Sequence, residues 1–217
     1  MAGGRDITAA AAEPVVLVHG LWSNRAAMLY LARALAARGF APRALGYAST
    51  LHGFEASAAR IGQALARTPG ARLHVVAHSL GALVVLRALA REPNPRVHRV
   101  VLLGAPVRGC LAGRTLACRR WAAPLLGATR SFWLDLPPLA IPPGVEAGAI
   151  AGTRPLGLGQ LVLRVPGPSD GVVRVDETRD ARLADHLPLP VAHSQMLVSS
   201  RVADAAAAFL RTGRFAR

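Results

Sequence analysis

Between Leu73 and Leu89 the spacing of apolar positions changes period. Leu73, Val75, Val76 and Ala77 make a short apolar run of the kind that suits a strand buried on both faces. Leu80, Leu83, Val84, Leu86 and Leu89 then recur at helical intervals, with good helix formers between them, in a helix that ends near Glu92-Pro93. The same alternation runs along most of the chain. PVVLVHG, from Pro14, reads as a buried strand, after which Ser23 or Asn24 caps a helix carrying Ala26, Leu29, Leu31, Leu35 and Ala36 to a stop at Arg38-Gly39. FAPRALGY is a second strand, and its Pro42 suits an early or edge position. Phe54 to Arg67 is a helix closed by Thr68-Pro69-Gly70, and VHRVVLLG, residues 97 to 104, is a buried strand that Ala105-Pro106 ends.

Val107 to about Arg130 is helix-like, and the segment 107–145 is expected to be either a small cap or a connector. Residues 131 to 145, rich in Pro and aromatic side chains, read as an irregular loop. VEAGAIAG is a further strand, LVLRVPG a weaker candidate and LPLPVAH a late strand. A last helix is expected from about Ser194 to Leu210, with Val198, Val202, Ala205, Ala206 and Phe209 on one face. Strands and helices in alternation imply an α/β protein with a mostly parallel, doubly wound sheet, helices on both faces and a minimal cap. No linker-like stretch divides the 217 residues, so residues 14–217 are expected to form one domain behind a flexible segment of residues 1–13.

Composition narrows the class. A hydrophobic content of 52% excludes a disordered chain, and no apolar run reaches the roughly 18 residues that spanning a bilayer requires. MAGGRDITAAAAEP lacks the apolar core of a secretory signal, so a cytoplasmic location is expected. Cys110 and Cys118 are too few for a disulfide framework or a metal site and read as ordinary thiols. Net charge is +14 and all 26 basic residues are Arg, a bias that fits a bacterial genome rich in Ala, Gly, Pro and Arg codons. The arginines are scattered and accompany no nucleic-acid-binding motif, which argues against a specific nucleic acid partner. Weak attraction to an anionic membrane surface is the consequence left by the charge. Nothing in the pattern sets an oligomeric state.

The corner at Ala77-His78-Ser79-Leu80-Gly81 is where the chemistry concentrates. A strand that turns directly into a helix needs small residues where backbones approach, and it lifts the middle hydroxyl into the open, as in a nucleophile elbow. The alternative is a serine that merely caps the helix. A serine nucleophile needs a base, itself held by a carboxylate. His193 is the preferred base because it follows PLPVA and opens the last helix, at a strand end. His186 lies before that strand and His98 before its own, which places both at the opposite edge of a parallel sheet. For the acid, Asp170 stands in the turn GPSDGVV, ahead of Asp176 and Asp180 in a more charged stretch. Leu80 N–H, at a helix N-terminus, and Leu21 N–H, in the loop after the first strand, are candidate oxyanion donors. Gly20 lets that backbone approach, His19 and His78 support the turns, and Gly20, Trp22 and His78 are expected to line the substrate pocket, with Trp22 walling the acyl group.

HGLW, AHSLG, GAP, SDGVV and AHSQML together resemble the α/β-hydrolase superfamily, over residues 14 to about 212. Within it the chain looks like small bacterial lipases and esterases and like hydrolases related to GPI inositol-deacylase. That resemblance implies Ser79, Asp170 and His193 as a triad, Leu21 and Leu80 as oxyanion donors, an acyl-enzyme intermediate, and neither metal nor organic cofactor. The substrate it implies is an ester or lipid with a small to medium acyl chain, taken into an open site. Thr153 to Ser169 is a long loop ahead of the acid, a departure from the pattern. Thioesterases and acyltransferases share the constellation, and a non-catalytic hydrolase-fold binding module is the alternative of another class.

Overall fold

The computed structural model describes residues 12–135, 139–157, 160 and 165–216. The apolar runs become six strands: β1 (Pro14–Val18), β2 (Ala41–Leu45), β3 (Leu73–His78), β4 (Val97–Leu103), β5 (Glu146–Gly152) and β6 (Asp185–Leu189). They form one sheet in the order β2-β1-β3-β4-β5-β6, with every neighbouring pair parallel. Parallel neighbours require crossovers, which here carry α1 (Leu29–Ala36), α2 (Phe54–Arg67) and α3 (Leu80–Arg91) between the first four strands. A run of shorter helices, α4 (Leu111–Cys118), α5 (Ala123–Leu126) and α6 (Arg130–Leu134), lies between β4 and β5, and α7 (Ser200–Thr212) follows β6.

Side chains of a strand alternate between faces, and the two cores follow that alternation. Val16 and Val18 of β1 join Val75, Val100 and Leu102 under Ile61, Leu65, Leu83 and Val84 of α2 and α3. Val15 and Leu17 face the other way, with Val76, Val101 and Ile150, onto Leu31 and Leu35 of α1 and Val202, Ala206 and Phe209 of α7. Each such valine or leucine, fully buried, contributes about 1.5–3 kcal/mol. Both faces are thereby covered, which is why β3 carries apolar side chains to each, Leu73, Val75 and Ala77 to one and Val76 to the other.

β2 is an edge strand, as Pro42 suggests. The helix expected from Val107 to Arg130 is broken instead, at Arg119 (ψ 121°) and at Gly127 (φ 53°). A Cβ at Gly127 would collide with the Thr50 carbonyl, and Ala128 N–H donates to that same oxygen at 2.9 Å. Part of the expected loop is helical, because α6 extends to Leu134 and stacks Phe132 on Phe54, ring centroids 3.7 Å apart. The expected strand LVLRVPG falls partly on residues 161–164, outside the described residues, and Val165–Gly167 are not in a strand. The last helix also starts later than its pattern suggests. Ser194–Val198 form a 3-10 turn, Ser199 is extended (ψ 122°), and its Oγ accepts the Val202 N–H at 3.4 Å to cap α7. Residues 1–11 lie outside the described residues; Glu13 is anchored by its Oε2 to His74 Nε2 at 2.9 Å. Among the described residues no helix is long and apolar enough to cross a membrane.

Candidate active site

Because all strands run parallel, their carboxyl ends open onto one edge of the sheet, and the loops there can converge. Ser79 follows β3 directly, with φ 53° and ψ −125°, a left-handed conformation that costs a non-glycine residue on the order of 1–3 kcal/mol. Its N–H donates to Leu103 O at the end of β4, 2.9 Å away. Its side chain makes no capping bond to α3, so the helix-cap alternative does not hold. The small residue at Gly81 is required, though not by β3. A Cβ there would strike the carbonyl of His19, since the first turn of α3 passes over the end of β1.

Asp170 lies in the long connection between β5 and β6, and that connection folds back onto the end of β5. A Cβ on Gly152 would sit 2.5 Å from the Asp170 Cβ. The carboxylate is 1% exposed. Oδ1 accepts the N–H groups of Val172 and Val173 at 2.9 and 2.7 Å, and Oδ2 meets His193 Nδ1 at 2.7 Å. His193 N–H adds a backbone bond to Asp170 O at 2.9 Å. Since a carboxylate only accepts, His193 Nδ1 carries the proton and Nε2 presents a lone pair, the tautomer a general base needs. Gly104, at the end of β4 with φ 53°, leaves room for the pair: a Cβ there would be 2.9 Å from Asp170 Oδ2 and 3.1 Å from His193 Nδ1.

Ser79 and His193 are brought into one neighbourhood without a hydrogen bond between their side chains. The connection runs through His78, whose ring lies 4.5 Å from that of His193 and whose Nε2 is 3.1 Å from the His193 carbonyl oxygen. Long or unformed bonds of this kind are common in a ligand-free hydrolytic site. Gly20 closes the other side, since a Cβ on it would come within 3.0 Å of Ser79 Cβ. Leu80 opens α3, so its N–H is among the donors that a helix start leaves unpaired.

The remaining candidates divide clearly. His19 is buried, donates from Nδ1 to Gly20 O at 2.9 Å, accepts the Tyr47 N–H at Nε2 (3.3 Å) and stacks on the Tyr47 ring. Burial depresses its pKa, and a neutral imidazole so engaged braces the loop that carries Leu21. His78, expected in the substrate pocket, is only 5% exposed. Trp22, expected to wall the acyl group, is 58% exposed, has φ 54°, and donates from Nε1 to Leu125 O of α5 at 2.6 Å. His186 sits at the start of β6 against Thr178 Oγ1 (2.8 Å), and His98 near the start of β4, both on the edge away from Ser79. Asp176 pairs with Arg174, and Asp180 with Arg182. Chain order alone made Glu177 one of the acids that follow the elbow; its carboxylate instead accepts Leu111 N–H at 2.7 Å and Arg174 N–H at 2.8 Å, joining α4 to the loop of Asp170. Burial raises its pKa. Cys110 and Cys118 are free thiols.

Comparison of sequences with curated proteins finds no match. Among solved structures, the mature lipase BlEst2 of Bacillus licheniformis superposes with a TM-score of 0.76 at 18% identity, over 95% of this chain and 94% of that one. A metagenomic carboxyl esterase, MGS0156, gives 0.68 at 19% identity over 85% and 65% of the two chains, and lipase B of Aspergillus fumigatus gives 0.69 at 17% over 95% and 54%. At these identities the likeness establishes the fold. The sequence pattern of the alpha/beta hydrolase family matches residues 15–214, and with the parallel sheet and elbow described above it settles the membership: the chain belongs to the alpha/beta hydrolase family.

Proposed function

We propose that this protein is a serine hydrolase of carboxylic esters, in which Ser79 attacks the ester carbonyl, His193 takes its proton and Asp170 holds the imidazole. The observation that carries the reading is the buried Asp170–His193 pair, which leaves His193 Nε2 unprotonated beside a strained elbow serine whose hydroxyl is free of any structural duty. His193, charged after accepting the proton, returns it to the departing alkoxide, and the acyl group stays on Ser79 Oγ. Water activated by the same imidazole then releases the acid. Leu21 and Leu80 N–H receive the oxyanion, the second helped by the dipole of α3. No step calls for a metal or organic cofactor. The likeness to a bacterial lipase and a carboxyl esterase supports an ester of this class, and a small to medium acyl chain is the proposed substrate. The net charge of +14 adds weak attraction to an anionic membrane surface.

The test is fluorophosphonate labelling of the wild type, Ser79→Ala and His193→Ala, followed by turnover of p-nitrophenyl esters of increasing chain length. Labelling of the wild type alone, with turnover reduced by about 10⁴-fold or more in both variants, is the expected result. A Ser79→Ala protein that keeps a tenth of the activity would overturn the reading. Faster transfer to an added alcohol or thiol than to water would reassign it as an acyltransferase.

A further inference from the structure

His78 does two things that the residue before a nucleophile need not do. It is the last residue of β3, 5% exposed, and its polar edge is spent on another loop: Nε2 lies 3.1 Å from the carbonyl oxygen of His193. A carbonyl only accepts, so Nε2 carries the hydrogen and Nδ1 the lone pair. Nδ1 is buried without a partner, and it faces the loop after β1, where a Cβ on Gly20 would lie 3.1 Å from it. One imidazole therefore spans the space between the loop of His193 and the loop of Leu21.

His193 is otherwise fastened only from one side. Its N–H and its Nδ1 both go to Asp170, which leaves rotation about that pair unopposed unless the carbonyl is held as well. His78 supplies the opposing bond from the strand that also carries Ser79. We infer that His78 is a positioning residue, which fixes the backbone of His193 relative to the nucleophile so that Nε2 points over Ser79. This rests on the reading of Ser79 and His193 as nucleophile and base. A neutral ring is required, because an imidazolium here would face the charge that His193 acquires during the reaction. Burial and the proximity of His193 both lower the His78 pKa well below the usual histidine value, which is consistent with that requirement.

The choice of histidine also has a geometric reason. A leucine would leave the His193 carbonyl without its donor, whereas glutamine can place an amide N–H near the position of Nε2. Asparagine, one methylene shorter, places its donor near Nδ1 instead. The three variants thus separate shape, polarity and donor position.

The experiment compares His78→Leu, His78→Asn and His78→Gln in steady-state turnover of a short p-nitrophenyl ester, in thermal unfolding, and in long-range ¹H–¹⁵N spectra of the histidine rings. Expected is a loss in kcat of about 10- to 100-fold for His78→Leu and His78→Asn with KM changed less than about threefold, since a displacement on the order of 1 Å can cost that much. His78→Gln should recover most of the rate. If His78→Leu fails to fold, the comparison of the Asn and Gln variants carries the test, and equal rates for those two would overturn the proposal. The spectra decide independently of turnover. Wild-type His78 should show the Nε2–H tautomer and stay neutral at pH 5, and the His193 ring signals should shift in the Asn variant but not in the Gln variant. A His78 that titrates near its ordinary value, or carries its proton on Nδ1, would overturn the proposal even in a protein with full activity. A wild type that hydrolyses nothing, with His78 nonetheless in that tautomer, would instead count against the hydrolase reading.

Discussion

Asp170 spends both carboxylate oxygens, one on the His193 ring and one on two backbone N–H groups, so it is fixed before it fixes anything else. Asp170→Asn keeps the shape and offers an amide N–H to His193 Nδ1, which moves the imidazole proton to Nε2, the wrong tautomer for a base. Turnover should fall by about 10³- to 10⁴-fold while KM changes little, as measured on the short ester. The neutral imidazoles carry a second prediction. Burial depresses the pKa of His19 and His78 below the unfolded value of 6.5, so at lower pH the unfolded chain binds protons that the folded one refuses. Their contribution is complete above pH 6.5 and is lost as pH falls below it, by up to about 1.4 kcal/mol per pH unit for each. The urea midpoint should hold steady between pH 7 and 8 and drop steadily towards pH 5; a flat profile over that range would mean that both rings are protonated in the fold.

At the scale of elements, the site depends on where α3 crosses the end of β1. Alanine favours a helix over glycine by about 1 kcal/mol, yet Gly81→Ala drives a Cβ into the His19 carbonyl, and overpacking of that kind costs about 1–3 kcal/mol. The packing term should win, lowering the melting temperature and weakening fluorophosphonate labelling as the Leu21 loop is displaced. Glu177→Ala removes two acceptors that join α4 to the Asp170 loop, and should cost about 1–3 kcal/mol in urea unfolding. Glu177→Gln, which keeps an acceptor oxygen, should cost less. These elements also mark how far the sequence was legible. The period of the apolar residues located β1, β3, β4, β5, α2 and α3, because each is buried by its own pattern. It misplaced what tertiary contacts decide: the break at Gly127, which packs against the Thr50 carbonyl, and the extended Ser199 that delays α7. Ser79 and His193 were readable as strand-end residues. Asp170 was readable only as a turn, since the fold of the long loop that presses it against Gly152 leaves no period in the sequence.

Taken as a whole, the molecule is asymmetric about its sheet. Trp22, Leu51, Trp121, Leu125, Leu156 and Val198 are large apolar side chains between 48% and 77% exposed, and all of them belong to segments that leave the carboxyl ends of the strands. Trp22 and Leu125 are tied by a hydrogen bond, Trp121 lies four residues before Leu125, and Thr50, beside Leu51, accepts the Ala128 N–H. These ties gather Trp22, Leu51, Trp121 and Leu125 into one apolar rim, with Arg119 and Arg120 immediately before Trp121 in the chain. Apolar tips among guanidinium groups suit an interface of anionic headgroups over acyl chains, where each part of the rim gains a different contact. The protein should therefore sediment with vesicles rich in phosphatidylglycerol and scarcely with phosphatidylcholine, and salt at about 0.5 M should release most of it. Replacing Arg119 and Arg120 with Gln should reduce binding, and Trp121→Ser should reduce the blue shift of tryptophan fluorescence on docking, leaving the part that Trp22 reports, both without loss of turnover on a short soluble ester. Binding that ignores headgroup charge and salt would leave the apolar rim as the sole attraction. A dimer in solution that buries Trp121 would assign the same rim to a second copy of the chain, and access to Ser79 would then depend on protein concentration.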